Sequence, residues 1–231
     1  MKIIDDEVFS SISDRPLIIF DFDGTLADSK PTIVATATKV LLEFGMKPEE
    51  LGDVSRLVGP PFPYAYELVY GFSRKDAEEI TRRYREIYRN IGPAGCPLFS
   101  GILELLEDLK AAGKTLAVAS SKNQPLLMAC IEEQKLVGVL DFVQGKTSDA
   151  LKSKTQLIES VLAHCGLEPH QALMVGDRSF DAEGAAGAHV ACVGVTYAKT
   201  GDVAELEDAG ACVVAESVDE LRHVLLAPTR H

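Results

Sequence analysis

The stretch that decides the fold is LIIFDFDGTLADS, residues 17–29. Four apolar residues, 17–20, run directly into Asp21, and Asp23 follows two positions later. A short run that is apolar throughout predicts a strand buried on both faces, and residues i and i+2 at its end point the same way. We therefore expect Asp21 and Asp23 to face one cavity at the carboxyl edge of a sheet. A solvated Asp-Gly turn at Gly24 is the plainer interpretation, but it leaves the apolar lead-in unexplained.

Further short apolar runs alternate with helical patterns along the chain. The predicted strands are residues 17–20, 115–119, 139–143, 172–175, 190–195 and 211–214. In GILELLEDLKAAG (101–113) and KTQLIESVLAHCG (154–166), apolar residues recur with the spacing of an amphipathic helix. This alternation predicts a mostly parallel sheet with helices on both faces. The fold class is therefore α/β, with a Rossmann-like core.

Residues 29–92 break this rhythm, because they show helical patterns and no clear strand. Ser29 as an N-cap, Pro31 in the first turn and Gly45 as the stop predict one helix. A second strong helical pattern covers residues 77–87, and the Gly and Pro residues of IGPAGCP (91–97) indicate a hinge at the return to the sheet. We predict a discontinuous α/β core, residues 1–28 and 93–231, and a small all-helical insertion, residues 29–92.

The composition limits the partners. The 231-residue chain has a net charge of −12 and no Lys/Arg block, so nucleic acid polymers and anionic membranes would be repelled. No apolar run approaches the ~20 residues that span a bilayer. Five cysteines without CxxC spacing indicate buried thiols in a reducing compartment, and the acidic N-terminus lacks the pattern of a signal peptide. We expect a cytoplasmic protein, for which a homodimer stays open.

A second apolar run ends in acids at ALMVGDRSFDAEGA, residues 172–185. Asp177 follows the run, and Asp181, in the first turn of a predicted helix, can face back toward it. Together with Asp21 and Asp23, these residues would gather three or four carboxylates at neighbouring strand ends. Sites built from oxygen ligands suit Mg²⁺. Asp177 alone would be an ordinary loop acid.

Two smaller signals complete the predicted site. Ser120 and Ser121 follow the strand at 115–119 and precede a predicted helix from Pro125; hydroxyls and free N–H groups there suit an anion, although a simple helix cap is nearly as good an interpretation. Lys152 and Lys154 precede the helix at 154–166. Either lysine would offer a fixed positive charge, while a surface position is the default interpretation of each.

In this order, DFDGTLADS, a serine after a hydrophobic strand, a lysine and GDRSFD resemble the four motifs of the haloacid dehalogenase-like phosphohydrolases. The resemblance covers nearly the whole chain, and DxDGT is its most specific part. The helical insertion resembles the small helical cap of the phosphoglycolate phosphatase-like branch.

The resemblance implies a division of roles among the acids. Asp21 would be the nucleophile that forms an aspartyl-phosphate, and Asp23 would protonate the leaving oxygen and then activate water. Mg²⁺ would be held by the Asp21 carboxylate, the Asp23 main-chain carbonyl and Asp177, with Asp181 nearby or acting through water.

The phosphoryl group would be held by Ser120 and Lys154. We choose Lys154 over Lys152 because it directly precedes the helical pattern TQLIESVL, although the family often has Lys-Pro at this motif and no Pro follows here. Further substrate-binding residues are expected to be Gly24, Thr25, Ser121 and Arg56. The loop at residues 58–64 would face the cavity, although a simple helix-to-helix turn is an equally good interpretation.

The acid at position 23 argues for phosphate esters, since the resemblance implies that dehalogenases do not need it and that phosphonatases carry Ala there. We expect a phosphatase for a small phosphorylated metabolite, phosphoglycolate-like first. A 5′-nucleotidase is close behind, because Phe62, Tyr64 and Tyr66 could stack on a base; they could equally form the core of the cap. A β-phosphoglucomutase-like phosphomutase and a catalytically silent binding protein on the same fold are further alternatives.

Overall fold

The computed structural model describes residues 12–147 and 153–226. Its centre is a six-stranded sheet of order β3-β2-β1-β4-β5-β6, in which every neighbouring pair is parallel. The strands are β1 Leu17–Phe20, β2 Thr115–Asn123, β3 Phe142–Lys146, β4 Ala172–Gly176, β5 Ala191–Val195 and β6 Val213–Ala215. The predicted α/β class and parallel sheet are confirmed.

Helices cover both faces of this sheet. Between the strands lie α1 Lys30–Glu43, α2 Tyr64–Tyr70, α3 Arg74–Ile91, α4 Ile102–Ala111, α5 Gln124–Glu133, α6 Lys154–Cys165, α7 Ser179–Gly187 and α8 Val203–Asp208, and α9 Val218–Leu226 follows β6. Alternate residues of β1 enter different cores: Ile18 and Phe20 pack with α4 and α5, whereas Leu17 and Ile19 pack with α6 and α7. This burial on both faces explains why the strand is apolar throughout.

Some strand boundaries differ from the prediction. β2 continues through Asn123, because Asn123 pairs with Lys146 on β3. β3 begins at Phe142 rather than at residue 139, because it lies at the edge of the sheet, where polar residues such as Gln144 are tolerated. β6 starts at Val213 because the N–H of Ala211 donates to Leu206 and closes the turn after α8.

The segment between β1 and β2 is helical, as predicted. Its helices α1, α2 and α3, with a short 3₁₀ helix at Val54–Leu57, share an apolar core of their own that includes Val40, Tyr66 and Ile80. Ser29 occupies the N-cap position of α1, but its side chain makes no capping hydrogen bond. Whether this segment acts as a separate, movable domain stays a prediction.

The cysteines follow the prediction in part. Cys96, Cys130 and Cys192 are buried, whereas Cys165 is half-buried and Cys212 is exposed. Within the described ranges, no helix is both long enough and apolar enough to cross a membrane.

Candidate active site

The carboxyl edge of the sheet gathers the predicted residues from distant parts of the chain. β1 pairs with β2 on one side and with β4 on the other, so the ends of these three strands are neighbours. Asp21 follows β1, Ser120 lies in β2, Asp177 follows β4, and Lys154 opens α6. All four side chains are buried.

Three acids form the centre of this edge. Carboxylate oxygens of Asp21, Asp177 and Asp181 all lie within 4.8 Å of one another. Asp181 is fixed by the start of α7, because the N–H groups of Asp177 and Arg178 both donate to its Oδ2 at 3.1 Å. The prediction that Asp181 faces back toward Asp177 is therefore confirmed by the geometry.

Lys154 joins two of these acids. Its Nζ lies 2.9 Å from Asp21 Oδ1 and 2.7 Å from Asp181 Oδ1, and it donates to the carbonyl of Ala119 at 3.0 Å. Burial disfavours the charged amine, but Asp181 and Asp21 outweigh it and raise the pKa of Lys154. Lys152, the other candidate, lies outside the described residues.

Burial also shifts the pKa values of the acids. It raises the pKa of Asp21 to about 6, with Lys154 acting in the opposite direction and the charges of Asp181 and Asp23 adding to the rise. Burial and the charges of Asp181 and Asp21 raise the pKa of Asp177 well above its ordinary value. The protein alone therefore does not neutralise this cluster, and additional positive charge would favour the ionised carboxylates.

The cluster fits a hard divalent cation. Asp21 Oδ1 is buried, and the Lys154 amine, 2.9 Å away, is the neighbour that compensates its charge. The available donors are carboxylate oxygens, which suit Mg²⁺ better than softer metals. Asp23 does not add its carboxylate to the group, because that side chain turns toward Lys122.

Gly24 and Thr25 lie against Asp177, one of the three acids of this cluster. Gly24 has a φ of +85°, and a Cβ there would collide with the Asp177 carboxylate. The Thr25 hydroxyl donates to Asp177 Oδ1 at 3.2 Å, and the Thr200 hydroxyl donates to Asp177 Oδ2. Neither Gly24 nor Thr25 is among the residues that line the neighbouring cavity, so the structure places these two predicted substrate-binding residues against Asp177 instead.

A cavity of about 660 Å³, part of it open to solvent, lies between this edge and the helical segment. Asp21 and Asp23 both line it, as predicted from their spacing, and Ser120 and Ser121 lie beside them. The Ser120 hydroxyl accepts from the N–H of Lys122 at 3.3 Å.

Lys122 is a site residue that sequence reasoning missed. Its amine donates to both carboxylate oxygens of Asp23, at 2.7 and 2.9 Å, and to the Tyr88 hydroxyl at 3.3 Å. Burial opposes its charge, yet Asp23 outweighs this and the pKa of Lys122 is raised well above its ordinary value. Its position two residues after Ser120 in an extended strand was the available signal.

The helical segment supplies the other walls. Of the predicted loop 58–64, residues 58–62 line the cavity, and so do Tyr84, Arg85 and Tyr88 of α3. Of the three aromatic residues proposed to stack on a base, Phe62 lines the cavity, Tyr66 is fully buried in the core of the segment, and Tyr64 is exposed.

Arg56 is not brought to this cavity. It is exposed on the short 3₁₀ helix and lines a separate cleft with Asp53 and Arg178. The prediction took a lone cation of the helical segment as a substrate ligand, but the buried neighbours Val54 and Leu57 orient this helix so that Arg56 faces away.

Comparisons with known proteins agree with this arrangement. Residues 18–195 match the haloacid dehalogenase-like hydrolase family. The chain is 34% identical to a 5′-nucleotidase of Pseudomonas aeruginosa over 79% of its length and 83% of the relative's. It is 34% identical to the tyrosine-protein kinase PtkA of Mycobacterium tuberculosis, over 94% of this chain and 75% of that protein.

Two further comparisons bear on the branch. The chain is 29% identical to a phosphoglycolate phosphatase of Synechococcus elongatus, over 78% of this chain and 83% of that protein. The crystal structure of a predicted phosphatase from Clostridium acetobutylicum superimposes with a TM-score of 0.87 at 32% identity, covering 92% of this chain and 98% of that one. The chain therefore belongs to the haloacid dehalogenase-like hydrolase family, in the branch of phosphoric monoester hydrolases similar to phosphoglycolate phosphatase.

Proposed function

We propose that this protein is a Mg²⁺-dependent phosphatase that hydrolyses a small phosphate monoester through an aspartyl-phosphate on Asp21. The observation that carries the proposal is the setting of Asp21. Its carboxylate lines the cavity and is buried beside two further acids, with the Lys154 amine 2.9 Å from its Oδ1. A carboxylate held in this way is available to attack a bound phosphoryl group.

The reaction then takes two steps. A carboxylate oxygen of Asp21 forms a bond to phosphorus while the ester P–O bond breaks, and Asp23 gives its proton to the departing oxygen. Asp23, now a carboxylate, takes a proton from a water molecule that attacks the aspartyl-phosphate. Inorganic phosphate leaves and the Asp21 carboxylate is restored. Asp23 lines the same cavity as Asp21, as this exchange requires.

Two residues are proposed to hold the phosphoryl group. Ser120 offers a hydroxyl at the wall of the cavity, and Lys154 offers a fixed positive charge next to the nucleophile. Donors that are already oriented toward developing negative charge lower the barrier without reorganising during the step.

The acids are proposed to hold the metal. Asp21, Asp177 and Asp181, with the main-chain carbonyl of Asp23, would bind Mg²⁺. When bound, the ion supplies positive charge that lets an anionic ester approach an anionic nucleophile.

The cavity supports two classes of ester. Arg85 is among its lining residues, and a guanidinium suits the carboxylate of a phosphoglycolate-like ester, which we place first. A 5′-nucleotide is the second candidate, because the half-buried Phe62 ring lines the cavity and could stack on a base. The name of the Pseudomonas relative is consistent with this second class.

The net charge of the protein favours one class of substrate. With a net charge of −12, the protein is expected to act on small phosphorylated metabolites rather than on nucleic acid polymers or membrane surfaces. We propose a cytoplasmic enzyme and leave a homodimer as an open assembly.

The test is phosphate release from phosphoglycolate, nucleoside 5′-monophosphates and sugar phosphates, with and without Mg²⁺. We expect Mg²⁺-dependent release that falls by at least about 10³-fold in Asp21→Asn, because the nucleophile is lost. Asp219→Asn, at an exposed acid of α9, is the matched control and should behave as wild type. Metal-loaded protein that releases phosphate from no ester would contradict the proposal and favour the phosphomutase first, then the silent binding protein.

A further inference from the structure

One wall of the cavity is fastened to the sheet by a charged side chain. Residues 58–62, here called the wall segment, come from the helical part of the chain and line the cavity. The guanidinium of Arg178, in the loop after β4, donates from Nη1 to the carbonyl of Val58 at 2.5 Å. The contact therefore joins the wall of the cavity to the loop that carries Asp177.

Arg178 is itself held in place. Its Nε donates to Glu205 Oε1 on α8 at 2.9 Å, and the same oxygen accepts from the N–H of Ser179 at 2.9 Å. The side chains of Arg178 and Glu205 are 19% and 26% exposed. An ion pair this protected from solvent is screened less than a surface pair, so it orients the guanidinium more firmly.

The wall segment is shaped to receive this side chain. Gly59 has a φ of +107°, a backbone conformation that favours glycine. A Cβ at Gly59 would lie 2.7 Å from Arg178 Nη1 and 3.0 Å from its Cγ. The absence of a side chain at this position is therefore what lets the guanidinium reach the carbonyl of the preceding residue.

We propose that Arg178, oriented by Glu205, is a positioning residue for substrate binding that docks the wall segment onto the catalytic edge of the sheet. This inference rests on the proposed phosphatase function. The phosphoryl group meets Asp21 and Ser120, whereas the rest of the ester meets the wall segment. Without the contact, the wall segment would have to become ordered each time an ester binds. This ordering costs binding free energy, so the loss should mainly raise KM.

The experiment compares Arg178→Met, Arg178→Lys and Glu205→Gln with wild type. Lys110→Met, which breaks a half-exposed ion pair between α4 and Asp141, the residue before β3, is the matched control. The main-chain N–H of Arg178 still donates to Asp181 in every variant, so the acid cluster keeps this support. The first readout is amide hydrogen exchange in residues 54–70, and the second is KM and kcat for phosphoglycolate and a nucleoside 5′-monophosphate.

We expect faster exchange in this segment for Arg178→Met, partial restoration in Arg178→Lys, a smaller effect in Glu205→Gln and none in the control. KM should rise about tenfold in Arg178→Met, since a hydrogen bond from a charged group is lost, and kcat should change less. Wild-type exchange in Arg178→Met would overturn the proposal, as would a fall in kcat at unchanged KM. If wild type hydrolyses no ester, the exchange result still decides the role of Arg178, while the proposed function fails on its own.

Discussion

At the scale of single residues, Lys122 and Asp23 show how one pair links the strand edge to the helical wall. The Lys122 side chain is 7% exposed and the Asp23 side chain 17%, so the pair lies largely out of water. Its amine also contacts the Tyr88 hydroxyl and lies 4.8 Å from the centre of that ring. The orientation of the proposed proton donor therefore depends on a residue that is itself packed against α3.

Lys122→Met should reduce kcat about 10- to 100-fold, because a carboxylate that has lost its oriented partner is less often placed to move a proton. Steady-state kinetics on the preferred ester measure the effect. Lys39→Met, which removes an exposed lysine paired with Glu43 on α1, is the control and should leave kcat unchanged. A Lys122→Met enzyme with wild-type kcat would show that the ion pair does not orient Asp23 for the reaction.

Site residues that belong to a short sequence motif could be identified from the sequence. Those whose position depends on packing against distant segments could not. Asp21 and Asp23 follow from the spacing at a strand end, and both line the cavity. Lys122 was missed because a lysine after a strand is usually on the surface, and only the packing of Tyr88 above it makes it a site residue. Arg56 was wrongly placed in the site, because the packing of its neighbours Val54 and Leu57, which the sequence pattern did not reveal, turns it away from the cavity.

At the scale of elements, the first turn of α6 determines where Lys154 stands. Ser153 Oγ accepts from the N–H of Gln156 at 3.3 Å, and the N–H of Ser153 donates to the Gln156 side chain at 3.2 Å. This capping box fixes the end of the helix from which Lys154 reaches Asp21 and Asp181. Helix capping and charge placement are thus coupled at this point.

Ser153→Ala should lower the free energy of unfolding by about 1 kcal/mol through loss of the cap. It should also lower kcat modestly, because the first turn carries the proposed phosphate-site lysine. Ser160→Ala, in the interior of the same helix, is the control and should be close to neutral because Ala favours helix. Chemical denaturation and kinetics of both variants test this; equal stability of the two would contradict it.

Elements were predicted best where the core dictates the sequence. β1 was predicted at its observed bounds because both of its faces are buried, which forces four apolar residues in succession. β3 was placed too early because an edge strand admits Gln144 and Lys146, so its sequence carries no continuous apolar signal. Apolar content alone could not separate this strand from the turn before it.

At the scale of the whole molecule, the acid cluster makes the free energy of unfolding depend on pH. The pKa values of Asp21 and Asp177 are raised, first by burial, so the folded state holds these protons more tightly than the unfolded chain does. Their stabilising contribution is therefore complete below the ordinary carboxyl pKa and is lost as pH rises through the folded pKa. The metal-free fold is expected to lose stability from these groups on the way to neutral pH.

In metal-free protein, the unfolding free energy of wild type minus that of Asp21→Asn should decrease between about pH 4 and pH 6. The window follows from the rise of the Asp21 pKa from 3.8 to about 6, and the decrease should be on the order of 2 kcal/mol. Denaturant titrations in the presence of a chelator measure it. A difference that is constant or increases over this window would show that Asp21 is not held in its protonated form by the fold.

Magnesium should restore the stability that the metal-free protein is expected to lose as the pH rises toward neutral. Because the proposed Mg²⁺ site is made of ionised carboxylates of the folded state, the ion should raise Tm at pH 7.5 and do so less at pH 5. Asp177→Asn should lose most of the increase at pH 7.5, whereas Asp219→Asn should keep it. A wild-type Tm that does not respond to Mg²⁺ at neutral pH would argue against a metal site at this edge.

The central position of β1 in the sheet has a consequence for biosynthesis. Asp21 and Asp23 leave the ribosome before Lys154, Asp177 and Asp181, which belong to segments translated much later. A nascent chain therefore carries Asp21, the proposed nucleophile, as an ordinary acid until β4 and α7 have been made and have docked beside β1. Translation that stops before residue 181 leaves a fragment without the complete cluster, so an error late in the message disables the site as fully as one at Asp21.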